Sequence, residues 1–480
     1  VTTPTGLHAL SLSLGPGPAI DPFRLAGPDG MVFRSGTRTR VGLGSALVIH
    51  LPDGLDSVDR VAGATGALAS ISVDDRTDPT GARAAANRVV AFGALPFDRS
   101  APATLVVPEL VYGSDGDGPE WITVIGTEPP TAPSDPAGLR SWLLGRQRPA
   151  GLAPAGPDTS AGPSPLVAPR STDDDFVAMV TEALGAIGRG EVAKVVVSRR
   201  VDVTMGDEIA VDELLERWQR LEPNCTVFSL PTPEGQFVGA SPELLIERSG
   251  SRIHSRPLAG TSGRSGPGQG RDRRGGLLDS SKDADEHRFV VEAIEEVLRP
   301  LCADLEVPRR PGLVHLHTVT HLGTPITGTL AVRPDGTVPS ALELLAAIHP
   351  TPAVGGVPGA AARRLIARLE PEPRGFYAGA VGVLDAAGDG EWMLGIRSMT
   401  VRGRSATLAA GLGVVAGSDP ASELQEAHLK LMAVFGALAP GRTLSTSARP
   451  APGDTASSDE HAGEDDADVF DRSDRHRAVS

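Results

Sequence analysis

The chain has 480 residues, 40% of them hydrophobic, which is enough for two or three average domains or one large domain with a substantial core. A formal net charge of −15 argues against a general polyanion binder and leaves only a local basic site open, and an aromatic content of 4% argues against a base-stacking nucleic-acid platform. No run of eighteen apolar residues occurs, the first residues lack a basic segment of the signal-peptide kind, and the two cysteines, Cys225 and Cys302, lie far apart; a cytoplasmic protein with two ordinary thiols and no membrane span is expected.

From the start to residue 127, short apolar runs (ALVIH, VVAFGAL, TLVVPEL, WITVIG) alternate with Gly, Pro and Asp turns. The pattern predicts strands, with one helix around Gly81 to Val90. Residues 128–172 are rich in Pro, Ala, Gly and Ser and read as a loop or linker with a short helix at Leu139 to Leu144. Helical periodicity follows in DDDFVAMVTEALGAIGRG, opened by aspartates and closed by Gly188 and Gly190. AKVVVSRRVDV predicts a strand, VDELLERWQRLEP a helix, and CTVFSL and GQFVGAS two further strands. LLIERSGSRIHSRP predicts a hairpin turning at Ser249 to Ser251, and SSKDADEHRFVVEAIEEVLRPLC the longest helix. The Ser/Pro/Asp/Glu-rich segment 441–480 has almost no apolar residues and predicts disorder. Strands and helices mix without a regular βαβ beat, which favours α+β with large antiparallel sheets.

Several stretches can carry chemistry. In GASPELLIERSG, Ser241 reads as an N-cap, Pro242 as a first helical position and Glu243 as a first-turn acid, so Glu243 is either a surface helix-starter or a carboxylate in an apolar pocket. In SDPASELQEAHLKLMAVF, Ser418 or Asp419 caps a helix with Pro420 at N1, and Glu423, Glu426 and Lys430 share one face. That face is either a solvated salt-bridged stripe or a magnesium site with a cation beside it for an anionic substrate. Glu286 heads the apolar stripe of Val290, Ala293, Val297 and Leu301, and so is either a helix-dipole acid or a ligand facing the core. Lys194 opens an apolar strand, as a snorkelling strand-end lysine or as a buried base. HLHTVTHL places His315, His317 and His321 on one strand face, read as three sheet histidines ahead of a zinc site. The Gly/Arg-rich GRSGPGQGRDRRGG follows no strand–glycine–helix pattern, and no nucleophile elbow or P-loop occurs.

Taken in order, KVVVSR, FVGASPELLIER, PLAGT, SSKDADEHRFVV, HLHT, IHPTPAVGG, RGFYAGAVG, IRS and GLGVVAGSDPASELQEAHLK resemble the chorismate-utilising enzymes, the family of isochorismate, salicylate, anthranilate and aminodeoxychorismate synthases. The resemblance runs from about 173 to 437, within a catalytic region ending near 440, and is loose over 1–127. It implies one large α+β domain in which two antiparallel sheets stack face to face with helices outside. It implies Lys194 as a general base for water, Glu243 as a general acid, and Mg²⁺ held by Glu286, Glu423 and Glu426. It further implies Thr261, His349, Ala353, Tyr377, Arg397, Gly411 and Lys430 around the substrate, with Arg397 and Tyr377 on the enolpyruvyl carboxylate and Lys430 on the ring carboxylate. Lys194 points to water rather than ammonia, and Ala353 to isochorismate formation rather than salicylate formation. The activity so implied is conversion of chorismate to isochorismate by a monomer with no amidotransferase partner. A salicylate synthase, an ammonia-using synthase and a non-catalytic chorismate-binding protein are the rivals. Menaquinone and siderophore biosynthesis both remain open as the use of the product.

Overall fold

A computed structural model of the chain describes residues 6–77, 88–116, 118–128, 135–149, 164–263 and 274–444. Among these residues two large β-sheets dominate. Runs rich in β-branched residues supply them, as in the strand Lys194–Thr204 (KVVVSRRVDVT), which pairs along its whole length with Ser405–Val415. The larger sheet has thirteen strands. Its middle joins Ser398–Arg402, Gly235–Ser241, Thr226–Thr232, Met31–Ser35 and Arg38–Leu43 by antiparallel pairing, while His8–Ser13 and Ser72–Arg76 pair in parallel at one edge. The second sheet has nine strands, with Leu244–Ser249, Gly390–Leu394, Ala380–Asp385 and Val90–Leu95 side by side at its centre. A third, small sheet contains Leu258–Gly263, Val319–Gly323 and Gly312–His315.

The two large sheets pack against each other through buried aromatic and aliphatic side chains. Phe33, Phe228 and Phe237 of the larger sheet meet Phe92, Val381 and Met393 of the second. The rings of Phe228 and Phe237 lie tilted with centroids 5.4 Å apart, a favoured aromatic geometry. Helices Asp173–Gly188 and Pro420–Leu438 pack on the Lys194–Thr204/Ser405–Val415 strand pair, and Ala341–Ile348 packs on the second sheet. The start of Asp173–Gly188 is fixed by a capping box in which Thr172 and Asp175 satisfy each other's backbone N–H. The architecture is the α+β arrangement of stacked antiparallel sheets and outer helices.

Five sequence readings change, the last being which helix is the longest. The segment Ser241 to Leu244 is not a helical turn: it is extended chain on which the polypeptide leaves the larger sheet at Ser241 and enters the second sheet at Leu244. HLHTVTHL is not one strand but a tight hairpin, with His315 opposite Thr320 and Val314 opposite His321, so its histidines do not share a face. The amino-terminal strands enclose a helix, Val58–Ala69, which the strand pattern hid because its Gly63 and Gly66 look like turn residues. The buried stripe of Ser281–Leu298 runs through His287, Val290, Ile294 and Leu298, sharing Val290 with the expected row and otherwise lying one position after Glu286, Ala293 and Val297. Helix Pro136–Leu144 covers the expected short helix, and Pro420–Leu438 is one residue longer than Ser281–Leu298. The helix expected at 81–90 falls mostly, and the expected disordered tail almost wholly, outside the described residues.

Candidate active site

One cavity gathers most of the residues singled out above. Glu243, Thr261, Glu286, Ala353, Tyr377, Arg397, Gly411 and Lys430 all line it, with His321 and Arg374. The extended 241–244 crossing sets the first of these. Ser241 donates its hydroxyl to the Leu394 carbonyl, and Leu394 donates its N–H to the Glu243 carbonyl, which pins the segment between the sheets. Glu243 is 3% exposed, and burial pushes its carboxyl up to about 8 against the pull of the Leu258 N–H, Lys194 and Lys430. It is therefore a protonated acid at neutral pH, able to donate.

Lys194 is fully buried behind the cavity wall, and its Nζ lies 3.2 Å from Glu286 Oε1. Gly413, on the strand facing Lys194–Thr204, makes room for this pair. A Cβ there would stand 2.0 Å from Glu286 Oε1 and 3.1 Å from Lys194 Cε. Gly411 does the same for Tyr377, whose hydroxyl would lie 3.0 Å from an added Cβ. Burial pushes the Tyr377 hydroxyl up to about 12, so it stays a neutral hydrogen-bonding group.

Asp419 caps helix Pro420–Leu438 with Pro420 in its first turn, and the helix presents Glu423, Glu426 and Lys430 on one side. Lys430 Nζ lies 2.7 Å from Glu426 Oε1 and donates to the Gly411 carbonyl at 2.9 Å. Burial raises the Glu423 carboxyl, as does neighbouring Glu426, while Lys282 at 2.5 Å opposes both. For Glu426, burial is outweighed by Lys430, Lys282 and Thr261, and its carboxyl falls below the usual range. As packed, no three acidic, His or Cys side chains among the described residues are drawn together tightly enough to grip an ion. The chemistry of the donor set nevertheless suits a hard divalent cation: Glu286, Glu423 and Glu426 would offer it carboxylate oxygens, and the charges of all three act on one ammonium, that of Lys282.

Arg397 adopts a left-handed backbone conformation (φ 52°), strain of about 1–3 kcal/mol that the packing overcomes. Its guanidinium is buried, and Nη1 has no hydrogen-bond partner among the described residues, which leaves a charged donor for an incoming carboxylate. Arg397 Nη2 lies 3.1 Å from His321 Nε2. An arginine can only donate, so Nε2 accepts and the His321 proton sits on Nδ1, 3.1 Å from the Gly260 carbonyl. Burial, with Arg397 and Lys430 nearby, pushes His321 down to about 3 and keeps it neutral.

Three contributors escaped the sequence reading. His321 had been placed with structural sheet histidines, yet it ties Arg397 to the turn at Gly260 and Thr261. Arg374 lay unassigned within RGFYAGAVG; it pairs with Glu370, donates to the Val354 and Val196 carbonyls, and so fastens the segment carrying Ala353 to the strand behind it. Lys282 was passed over inside SSKDADEHRFVV. His349 goes the other way: it is buried but does not line the cavity, and its ring lies towards the backbone of Pro96 and Phe97. The residue ends helix Ala341–Ile348, and that helix packs on the second sheet rather than on the cavity.

A buried acid, a buried lysine and a guanidinium with one nitrogen still open to an anion suit an enzyme that works on a carboxylate-bearing substrate. A family model described as "Chorismate binding enzyme" matches residues 150–439, and the chain belongs to that family. Within it, the chain is 37% identical over 360 residues to isochorismate synthase DhbC of Bacillus subtilis, covering 73% of this chain and 81% of that one. It is 40% identical over 267 residues to isochorismate synthase EntC of Escherichia coli, covering 54% and 67%. The solved structure of MenF, the menaquinone-specific isochorismate synthase from Escherichia coli, superposes with a TM-score of 0.70 at 23% identity over 90% of this chain and 95% of that one, a likeness of fold.

Proposed function

We propose that the protein is an isochorismate synthase, which adds water to C2 of chorismate and expels the C4 hydroxyl as the ring double bonds shift. The observation that carries this reading is a buried cavity carboxyl, Glu243, raised to about 8, with a fully buried lysine, Lys194, reaching the same cavity's wall through Glu286. Hydroxide is a poor leaving group, and Glu243 supplies the proton it needs. Lys194 takes a proton from the attacking water. Acid and base of opposite kind, separated by their surroundings, are what such an exchange requires. Arg397 and Tyr377 hold the enolpyruvyl carboxylate, and Lys430, with Thr261 and the backbone at Gly411, holds the ring carboxylate. Ala353 closes the wall beside the ring.

The ion in this reading is Mg²⁺, which Glu286, Glu423 and Glu426 would hold, and which would supply charge neutralisation at the ring carboxylate. Water as nucleophile needs no ammonia-delivering subunit, so the reading extends to a single-chain, monomeric enzyme of the cytoplasm. Among the described residues no helix is long and apolar enough to cross a membrane. Chromatography of the products from chorismate and Mg²⁺ tests the assignment. Isochorismate alone is expected. Salicylate with pyruvate would move the protein to the lyase-active synthases, and binding without turnover would make it a chorismate-binding protein.

A further inference from the structure

Lys282 lies in the first turn of helix Ser281–Leu298, with its Nζ 2.5 Å from Glu423 Oε1. Its side chain is 31% exposed, whereas that of Glu423 is 2% exposed. The charges of Glu426 and Glu286 also act on that ammonium, more weakly than Glu423, which alone of the three is in contact with it. Each of those two acids also has a lysine of its own, Lys430 for Glu426 and Lys194 for Glu286. Each of the three acids therefore has a lysine partner within the protein. The three lysines differ in how they are held. Lys194 is fully buried, and Lys430 is tied as well to the Gly411 carbonyl. Lys282 hydrogen-bonds Glu423 and opens onto solvent. A long, flexible side chain with water at its back is the one that can withdraw, because its ammonium regains full hydration when it leaves.

Resting on the divalent-ion reading above, we propose that Lys282 is a tethered cation: it fills the acidic wall of the ion-free enzyme, competes with the divalent ion for Glu423, and keeps ion affinity low until it swings out to solvent. Lys282 touches neither substrate nor reacting atoms in this scheme; it is a positioning residue that acts through Glu423. A lysine engaged nine-tenths of the time weakens apparent ion affinity about tenfold, because only the disengaged fraction can bind.

The test is direct titration of Mn²⁺ into the substrate-free, full-length protein, followed by electron paramagnetic resonance or calorimetry. Lys282→Met should bind Mn²⁺ about tenfold more tightly than the wild type, and Lys282→Arg, which keeps the charge, should stay close to wild type. The ion-free Lys282→Met protein should also melt earlier, since Glu423 loses its counter-charge, and Mn²⁺ should raise its melting temperature more than it raises that of the wild type. Lys282→Gln replaces Lys282→Met if the latter does not fold. Unchanged or weaker Mn²⁺ binding by the uncharged variant, with Glu423→Gln abolishing binding, overturns the role of Lys282 and leaves the ion site standing. Mn²⁺ binding that is absent from the wild type, or indifferent to Glu423→Gln, overturns both.

Discussion

The sheet crossing and the helices beside the cavity treat the same functional group in opposite ways. On the sheet crossing, Glu243 is sealed among apolar walls and is neutralised by a proton, its carboxyl raised to about 8. On the helix side, Glu286 at the cavity, and Glu423 and Glu426 beyond its lining, each lie at ion-pair distance from a lysine: Lys194, Lys282 and Lys430. Burying a carboxylate is costly unless a proton or a partner removes the charge, and this protein uses each remedy on a different wall. The choice decides the chemistry. A carboxyl that keeps its proton can give it away, whereas one balanced by a movable cation can exchange that cation for another.

The sharpest way to break the comparison is Glu243→Gln, which keeps the shape and removes the transferable proton. Turnover should fall about a thousandfold while chorismate affinity, measured by calorimetry, changes little. Near-normal turnover would falsify the acid assignment. Lys194→Ala should cost about a hundredfold or more in turnover. Adding a primary amine such as methylamine should restore part of the loss if the missing group is a base. Gly413→Ala presses a methyl group into the Lys194–Glu286 pair, which lies within 3.1 Å of the added Cβ. About a tenfold loss of turnover with normal melting behaviour is expected; an unchanged rate would show that the pair does not matter.

The pH response is gentler and carries a definite sign. Glu243 must be protonated to act, so turnover should fall as pH rises through about 8. Because its folded-state value lies above the ordinary carboxylate value of 4.5, its contribution to stability is complete below about 4.5 and is lost as pH rises through about 8. The smallest effect follows from this: between pH 6 and 9, Glu243→Gln should lose about a degree or two less in melting temperature than the wild type. An identical loss in both proteins would mean that Glu243 titrates alike folded and unfolded.

Much of this was legible in the chain, and what was not has a physical cause. Local spacing predicted that Glu423, Glu426 and Lys430 share a helix side, and Lys430 does reach Glu426 at 2.7 Å. The cap at Asp419 and the hairpin turn at Ser249 to Ser251 are equally local. The Ser-Pro-Glu segment misled because its cap-like residues are a local signal, while its conformation is set by two sheets, the one it leaves at Ser241 and the one it joins at Leu244. His321 and Arg397 are 76 residues apart, so their contact has no spacing to betray it. Lys282 sat in a quoted motif, but its neighbour Glu423 lies 141 residues on. Helix Val58–Ala69 was hidden for a simpler reason, since its glycines carry a helix penalty that tertiary packing overrides.

The interleaving of the larger sheet has a consequence for how the protein is made. Met31–Ser35 pairs with Arg38–Leu43 on one side, but its other neighbour is Thr226–Thr232, where Arg34 faces Val227. During synthesis the early strands must wait for roughly 190 more residues, about 10 to 40 seconds at ~5–20 residues per second. Through that interval the edge of an apolar strand stands unpaired, the kind that recruits other chains. The first third of this protein should therefore be its most chaperone-dependent stretch, although every residue lining the cavity is translated later.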